Sequence, residues 1–294
     1  MDHFRKRACA KLRTSLLWID PRIDRELAVN LLSDLDSLLR RSDCRIIKDQ
    51  KKIKVGYIHI EIQGRSVGIY IKRYNAFSWR YRLGSLVFAS GAARALQGAL
   101  VLLKAGIATA RPLAAVESRS RGMLQRSFYV SEEIKRGKTA DAYWRERLDE
   151  LDGVRGFHRR GSFLQGLAKL FRSLHDRNLY HNDLKDANIL VAPCSDGESE
   201  DFYLLDLEGI RCYRDLSQRR RVKNLVQLNR TFGRYLRWSE KLRFLKCYLG
   251  GAFSDRKAKR FWVKKILANS RRLDRRRVQR RLPIDLGDNA AHEV

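Results

Sequence analysis

Within the string HNDLKDAN the chain sets His181, Asp183, Lys185 and Asn188 close together, and Asp206 follows in LLDLEG. An aspartate can orient a hydroxyl and accept its proton. A lysine can neutralise charge building on a phosphate, and carboxylate and amide oxygens suit a hard cation such as Mg²⁺. These are the parts of a phosphoryl-transfer site, which asks a protein for positioning and charge rather than covalent chemistry. Taken singly, each residue has an ordinary use: Asp and Asn favour turns and caps, and a histidine of this kind bonds to backbone. The joint order carries the reading, together with an apolar frame. Leu179 and Tyr180 precede the loop, Leu184 sits within it, and Ile189, Leu190 and Val191 follow.

The elements that must position this loop are legible from periodicity. Residues 1–43 read as a helical extension, with leucines at helical spacing in DRELAVNLLSDLDSLLRR. The period then changes: CRIIKD, KIKVGYIHIEIQ and SVGIYIKRY read as strands, and a slip in alternation beside Gly56 predicts a bulge there. A long apolar helix is expected over about residues 86–105, followed by strands in IATARPLAAVE and GMLQRSFYVSEEI. From residue 140 the pattern is helical, interrupted by short strands in NILVAP and FYLLDL. Strands, one helix, strands and then helices predict an α+β fold of two lobes. The small β-rich lobe spans 44–134 and the larger helical lobe 135–294.

With 44% hydrophobic and 32% charged residues, the 294-residue chain has a globular composition. Its net charge of +29 calls for an anionic partner: nucleic acid, an anionic membrane surface or a phosphorylated ligand. A solvated arginine halo that only aids solubility is the plain alternative. Residues 211–294 hold 25 lysines and arginines against 7 acidic residues, so the excess concentrates in the C-terminal helices. There KRFWVKKILANSRRLDRRRVQRR, with Phe261 and Trp262, resembles an interfacial helix. Leu236, Leu242, Leu245 and Leu249 in the preceding segment read as the core face of a helix. None of the five scattered cysteines forms a C-x-x-C pair, which argues against a zinc site or a disulfide framework and for a reducing compartment. No export signal is read at the start. The most apolar run contains Arg94 and makes a better buried helix than a membrane span.

HNDLKDAN resembles the protein-kinase catalytic loop H-R-D-L-K-x-x-N, with Asn182 where arginine is usual; DLEG stands in the place of D-F-G, and GIYIK resembles the V-A-I-K strand. The resemblance implies Asp183 as the catalytic base and Lys185 as the cation at the transferred phosphate. It implies Asn188 and Asp206 as Mg²⁺ ligands and Lys72 at the α- and β-phosphates of ATP. VSEEI would be the hinge, with the backbone of Glu132 and Ile134 facing adenine. More narrowly, YIKRYN, KAGIATARPLAAVE, DLEGI and VQLNRTF, in this order, resemble the bacterial lipopolysaccharide core kinases, which phosphorylate heptose or Kdo sugars. That implies an ATP-dependent sugar kinase with a glycolipid acceptor, cytoplasmic and peripheral at the inner face of the inner membrane. Nucleic acid is the less favoured partner, and the oligomeric state is open. Two other functions share the pattern: an atypical kinase of protein or RNA-associated substrates, and a catalytically degenerate scaffold at a membrane.

Three departures stand out. No G-x-G-x-x-G precedes Lys72, where the turn KDQKKIK is lysine-rich instead. Tyr70 stands two residues before the lysine, where kinases prefer a small side chain. Residues 73–116 contain no aspartate or glutamate, so the helix glutamate that usually pairs with the strand lysine is missing. Glu117, Glu61 or Asp206 could take its place.

Overall fold

The computed structural model describes residues 14–23, 34–195 and 199–279. Six strands, β1 (Thr14–Ile19), β2 (Arg45–Asp49), β3 (Ile53–Ile62), β4 (Arg65–Asn75), β5 (Pro112–Ser120) and β6 (Met123–Glu132), form one sheet in the order β1-β5-β6-β4-β3-β2. Every pairing is antiparallel, so side chains alternate between two faces. Ile58, Ile69, Ile71, Val116, Phe128 and Val130 gather on one face in an apolar cluster completed by Ile23, Leu35 and Leu39. Lys72, opposite Val55 and Tyr129 in register, belongs to the other face.

The N-terminal segment therefore covers the outer face of the sheet, and its structure differs from the sequence expectation. Thr14–Ile19 is an edge strand paired to β5 rather than a helix; TSLLWI is rich in residues that suit a half-buried pleated surface. Most of the expected leucine-spaced helix, 24–33, lies outside the described residues. Its end is helical as read: α1 (Leu35–Leu38) starts at Asp34, whose carboxylate accepts from the N–H groups of Asp36 and Ser37. The expected bulge beside Gly56 falls on the partner strand, where the β2 register shifts between Ile46 and Lys48. Gly56 serves another purpose. A Cβ there would lie 2.5 Å from Leu39 Cδ2 and 2.8 Å from Cys44 Sγ, so its absence admits the covering segment.

The apolar stretch after β4 divides into α2 (Trp79–Gly84) and α3 (Gly91–Lys104). Ser90 begins the second, its side chain accepting from Ala93 N at 3.0 Å, which is why the helix is shorter than its apolar run. The second lobe contains β7 (Lys138–Thr139), α4 (Ala140–Arg147), α5 (Gly153–Asp176), β8 (Leu179–His181), β9 (Ile189–Pro193), β10 (Glu200–Leu204) and β11 (Ile210–Cys212). It ends with α6 (Gln218–Thr231), α7 (Trp238–Leu249) and α8 (Arg256–Gln279). Its core is built from Phe163, Leu167, Phe171 and Leu174 of α5 against Trp144, Leu225, Phe232 and Phe244.

Helix α8 is not the free interfacial helix that its sequence resembles. Trp262 is buried and stacks edge-on against Tyr248, with ring centroids 5.7 Å apart. Phe261, Val263, Ile266 and Leu273 pack on the same core. Its apolar stripe is spent on the lobe, and the arginines remain outside.

Candidate active site

The catalytic loop leaves β8, turns through Asn182–Lys185, makes a 3₁₀ turn over Asp186–Asn188 and enters β9. His181 is fully buried. Its Nδ1 accepts from Asp183 N at 3.1 Å, so Nε2 carries the proton and donates to Leu205 O at 2.8 Å. Burial holds its pKa below the usual histidine value, and the neutral ring ties the loop to the strand that leads into Asp206. Asn188 Nδ2 donates to Asp183 O at 2.7 Å and to Asp183 Oδ2 at 3.2 Å. The amide oxygen is then the atom Asn188 has left to offer a metal. Lys185 Nζ lies 2.6 Å from Asp183 Oδ2, so cation and carboxylate arrive as one unit.

Helix α6 holds this loop from behind. Asn224 Nδ2 donates to His181 O at 2.7 Å and Gln227 Nε2 to Asn182 O at 2.7 Å, while Leu184 N donates to Gln227 Oε1. Thr231 Oγ1 accepts from Asp186 N at 3.4 Å. Their positions within and beside VQLNRTF now have a physical account: the helix replaces the water that the loop's backbone would otherwise need. Asn224 also accepts from His175 Nε2 at 3.1 Å, and Tyr248 bonds His175 Nδ1 at 2.8 Å. Burial lowers the His175 pKa to about 4, keeping it neutral in that chain.

Lys72 reaches across from the sheet. Its Nζ lies 2.7 Å from Asp206 Oδ1 and 2.9 Å from Glu208 Oε1. Burial opposes its charge, but the two carboxylates outweigh that and raise its pKa above the ordinary lysine value. Reciprocally, burial would lift the Asp206 pKa, and Lys72 brings it below the usual carboxylate range. Asp206 itself sits in the left-handed region at φ 57°, a conformation that a non-glycine residue holds only when its surroundings impose it.

Glu208 is the residue that sequence reasoning missed. It supplies the carboxylate expected from the helix, and neither earlier candidate does: Glu117 is buried in a pair with Arg119 at 2.7 Å, and Glu61 is exposed. The direct Lys72–Asp206 contact is present as one of the options the sequence left open. Helix α3 contributes a cation instead of an acid, Arg94 Nη2 lying 3.6 Å from Glu208 Oε2. The helix can approach because of Gly98, where a Cβ would lie 2.2 Å from Leu207 O. The signal was in DLEG: a glutamate replaces the motif's glycine in a chain with no helix acid.

The hinge residues are less open than expected. Glu132 N donates to Arg111 O, and its carboxylate accepts from Arg22 at 2.9 Å. Ile134 O accepts from Gly137 N at 3.1 Å, while its own N–H has no partner among the described residues. Tyr70 packs on Tyr57, centroids 5.0 Å apart, and Tyr57 donates to Glu133 at 2.8 Å, forming an aromatic wall beside the hinge. In the lysine-rich turn, paired bonds between Gln50 and Ile53 close a tight hairpin around Lys51 and Lys52. Lys52 lies over the Phe77 ring at 4.7 Å.

No cluster of three or more acidic, histidine or cysteine ligands exists among the described residues. The two oxygen donors present, Asp206 and Asn188, nevertheless fit Mg²⁺, which keeps waters and takes phosphate oxygens to complete its shell.

A family model described as "Lipopolysaccharide kinase (Kdo/WaaP) family" matches residues 65–248, which include Lys72, the catalytic loop, Asp206 and α6. The chain belongs to this family. A solved structure described as "WaaP in complex with acyl carrier protein" is similar in fold, with a TM-score of 0.58 and 20% identity over 86% of this chain and 98% of that one. The expected two-lobed kinase-like architecture is thus the observed one. No curated protein matches the chain. The family assignment makes the protein a kinase of lipopolysaccharide core.

Proposed function

We propose that the protein uses Mg-ATP to phosphorylate a sugar hydroxyl of lipopolysaccharide core or a related glycolipid, at the inner face of the inner membrane. The observation that carries this reading is the convergence of charged groups from both lobes: Lys72 reaches from the sheet to Asp206 and Glu208 of the helical lobe, which also carries the Asp183–Lys185 pair. Asp183 orients the acceptor hydroxyl and takes its proton as the oxygen attacks the γ-phosphorus. The bond to the β–γ bridging oxygen breaks, and ADP leaves with that oxygen. Lys185 faces the charge on the transferred group, and Lys72 binds the α- and β-phosphates. Asn188 and Asp206 would hold Mg²⁺, whose bound form neutralises the phosphate oxygens. Because Lys72 is paired with both carboxylates, Glu208 would still hold it if Asp206 served the cation.

An anionic acceptor has a place to lie. Asn182, next to Asp183, lines a groove of about 950 Å³ whose walls include Arg219, Arg220, Lys223, Lys265 and Arg272. Among the described residues none of these five forms an ion pair with a carboxylate, although Arg221 and Arg230 nearby do. The Arg220 guanidinium lies 4.0 Å from the Tyr213 ring centre, which orients it without neutralising it.

The test is transfer of labelled γ-phosphate from ATP, with Mg²⁺, to purified lipopolysaccharide lacking core phosphate, with RNA and a generic protein as parallel acceptors. Label in the glycolipid alone is expected. Label in RNA or protein instead would reassign the acceptor, and failure to bind ATP would leave a scaffold.

A further inference from the structure

Among the described residues, six exposed large hydrophobic side chains fall in one short segment far in sequence from the basic C-terminal helices. In the segment FSWRYRLGSLVF, residues 77–88, Val87 is 83% exposed, Phe88 71%, Trp79 66% and Leu86 58%, and Phe77 and Leu83 are exposed as well. Isolated exposed hydrophobics need no explanation, but six in one short segment form a patch of the kind that marks an interaction site. The patch is built rather than loose. Ser85 at its centre is buried, its Oγ accepting from Leu124 N at 2.9 Å and its carbonyl from Arg119 Nη1 at 3.1 Å. Arg94 donates to Ala89 O just beyond it. The backbone is pinned to the β5–β6 hairpin while the large side chains stay exposed.

The surrounding charge is of one sign. Arg80 and Arg82 lie within the segment and Arg121 on the adjoining hairpin turn, where a Cβ on Gly122 would touch Leu86 Cδ2 at 3.7 Å. None of these three arginines makes an ion pair among the described residues, and residues 73–116 contain no acid at all. Aromatic and aliphatic side chains ringed by unpaired arginines match the layered chemistry of an anionic bilayer: acyl boundary inside, phosphate headgroups around it. No helix among the described residues is long and apolar enough to cross a membrane.

We infer that residues 77–88 form the membrane-docking element of this protein, inserting Val87, Phe88, Leu86 and Trp79 into the interface of an anionic phospholipid bilayer. This differs from the reading of the C-terminal helix, whose apolar stripe is buried. The arginines of α8 add attraction at a distance, and the patch supplies the insertion.

The experiment is co-sedimentation of the full chain with vesicles of phosphatidylcholine containing phosphatidylglycerol, and with pure phosphatidylcholine. It needs neither ATP nor acceptor, so its outcome is independent of the kinase reading. Val87→Asp/Phe88→Asp is expected to lower partitioning to the anionic vesicles by about tenfold or more. Phosphate transfer to a soluble, deacylated acceptor is expected to stay unchanged, which also reports that the variant folds. Arg275→Glu/Arg276→Glu is expected to weaken binding chiefly at low salt. Undiminished binding of the Val87/Phe88 variant would overturn the inference, as would absence of wild-type binding. A wild-type dimer in sedimentation velocity that the same variant dissociates, with vesicle binding unaltered, would assign the patch to a second copy of the chain.

Discussion

The two sides of the cleft solve their positioning problems differently. On the helical-lobe side, Asn182, Leu184 and Asp186 each give a backbone group to a side chain of α6, and His181 is fixed from both ring nitrogens. On the sheet side, Lys72 is placed by ion pairs with Asp206 and Glu208 and by the Tyr74 ring, whose centre lies 5.1 Å from its Nζ, and Arg94 stands where a helix acid is usual. The first arrangement depends on directional hydrogen bonds in a buried network. The second depends on charge and reach. A carboxylate two residues beyond Asp206 can therefore stand in for one on a helix.

That contrast can be broken at several points. The largest effect is expected from Asp206→Ala, which removes both the proposed metal oxygen and half of the Lys72 clamp. Turnover should fall by about a thousandfold or more, and Mg²⁺-dependent ATP affinity measured by calorimetry should fall with it. Glu208→Gln should cost roughly 10- to 100-fold in kcat/KM for ATP, a deficit equivalent to about 1.4 to 2.7 kcal/mol. If charge and reach are what matter, Arg94→Glu should restore part of that loss in the Glu208→Gln background by returning an acid to the helix. No restoration would mean that the site needs Glu208 in its own place.

On the hydrogen-bonded side, Asn224→Ala strands the carbonyl of His181 and one nitrogen of His175 in a buried setting. A loss of about 2 kcal/mol is expected, visible as a lower urea midpoint. Retention of full stability would show the network to be incidental. A smaller effect concerns pH. His175 is neutral in the folded state with a pKa near 4, against about 6.5 unfolded, so the unfolded chain binds the extra proton as pH falls. Stability from this group is complete above about pH 6.5 and declines towards pH 4, by on the order of 3 kcal/mol at the limit. Urea titrations across that range should follow this slope, with His181 adding in the same direction. His175→Gln should flatten the limb without abolishing it.

How legible each part was follows from the same contrast. The loop was readable because its polar residues and its apolar frame are contiguous in sequence; the structure brings Lys185 and Asn188 onto Asp183 and pairs Asp206 with Lys72. Lys72 was nominated by the resemblance of GIYIK to the V-A-I-K strand. Glu208 was hidden, because its role depends on how closely α3 passes Leu207, and that distance is set by Gly98 in another element. The edge strand at Thr14–Ile19 was obscured by the leucine spacing that follows it, since pairing with β5 overrides local pattern. The buried stripe of α8 failed for a related reason: an amphipathic basic helix reads alike whether its apolar face meets lipid or the core.

The most direct measurement pairs nucleotide affinity and turnover on a single variant, Asp183→Asn. The amide keeps the shape of the loop and removes the proton acceptor. The expected result is Mg-ATP affinity within about twofold of the parent with phosphate transfer reduced by about a thousandfold. Full transfer by Asp183→Asn would contradict the account, since the loop that α6 holds so firmly would then not carry the chemistry.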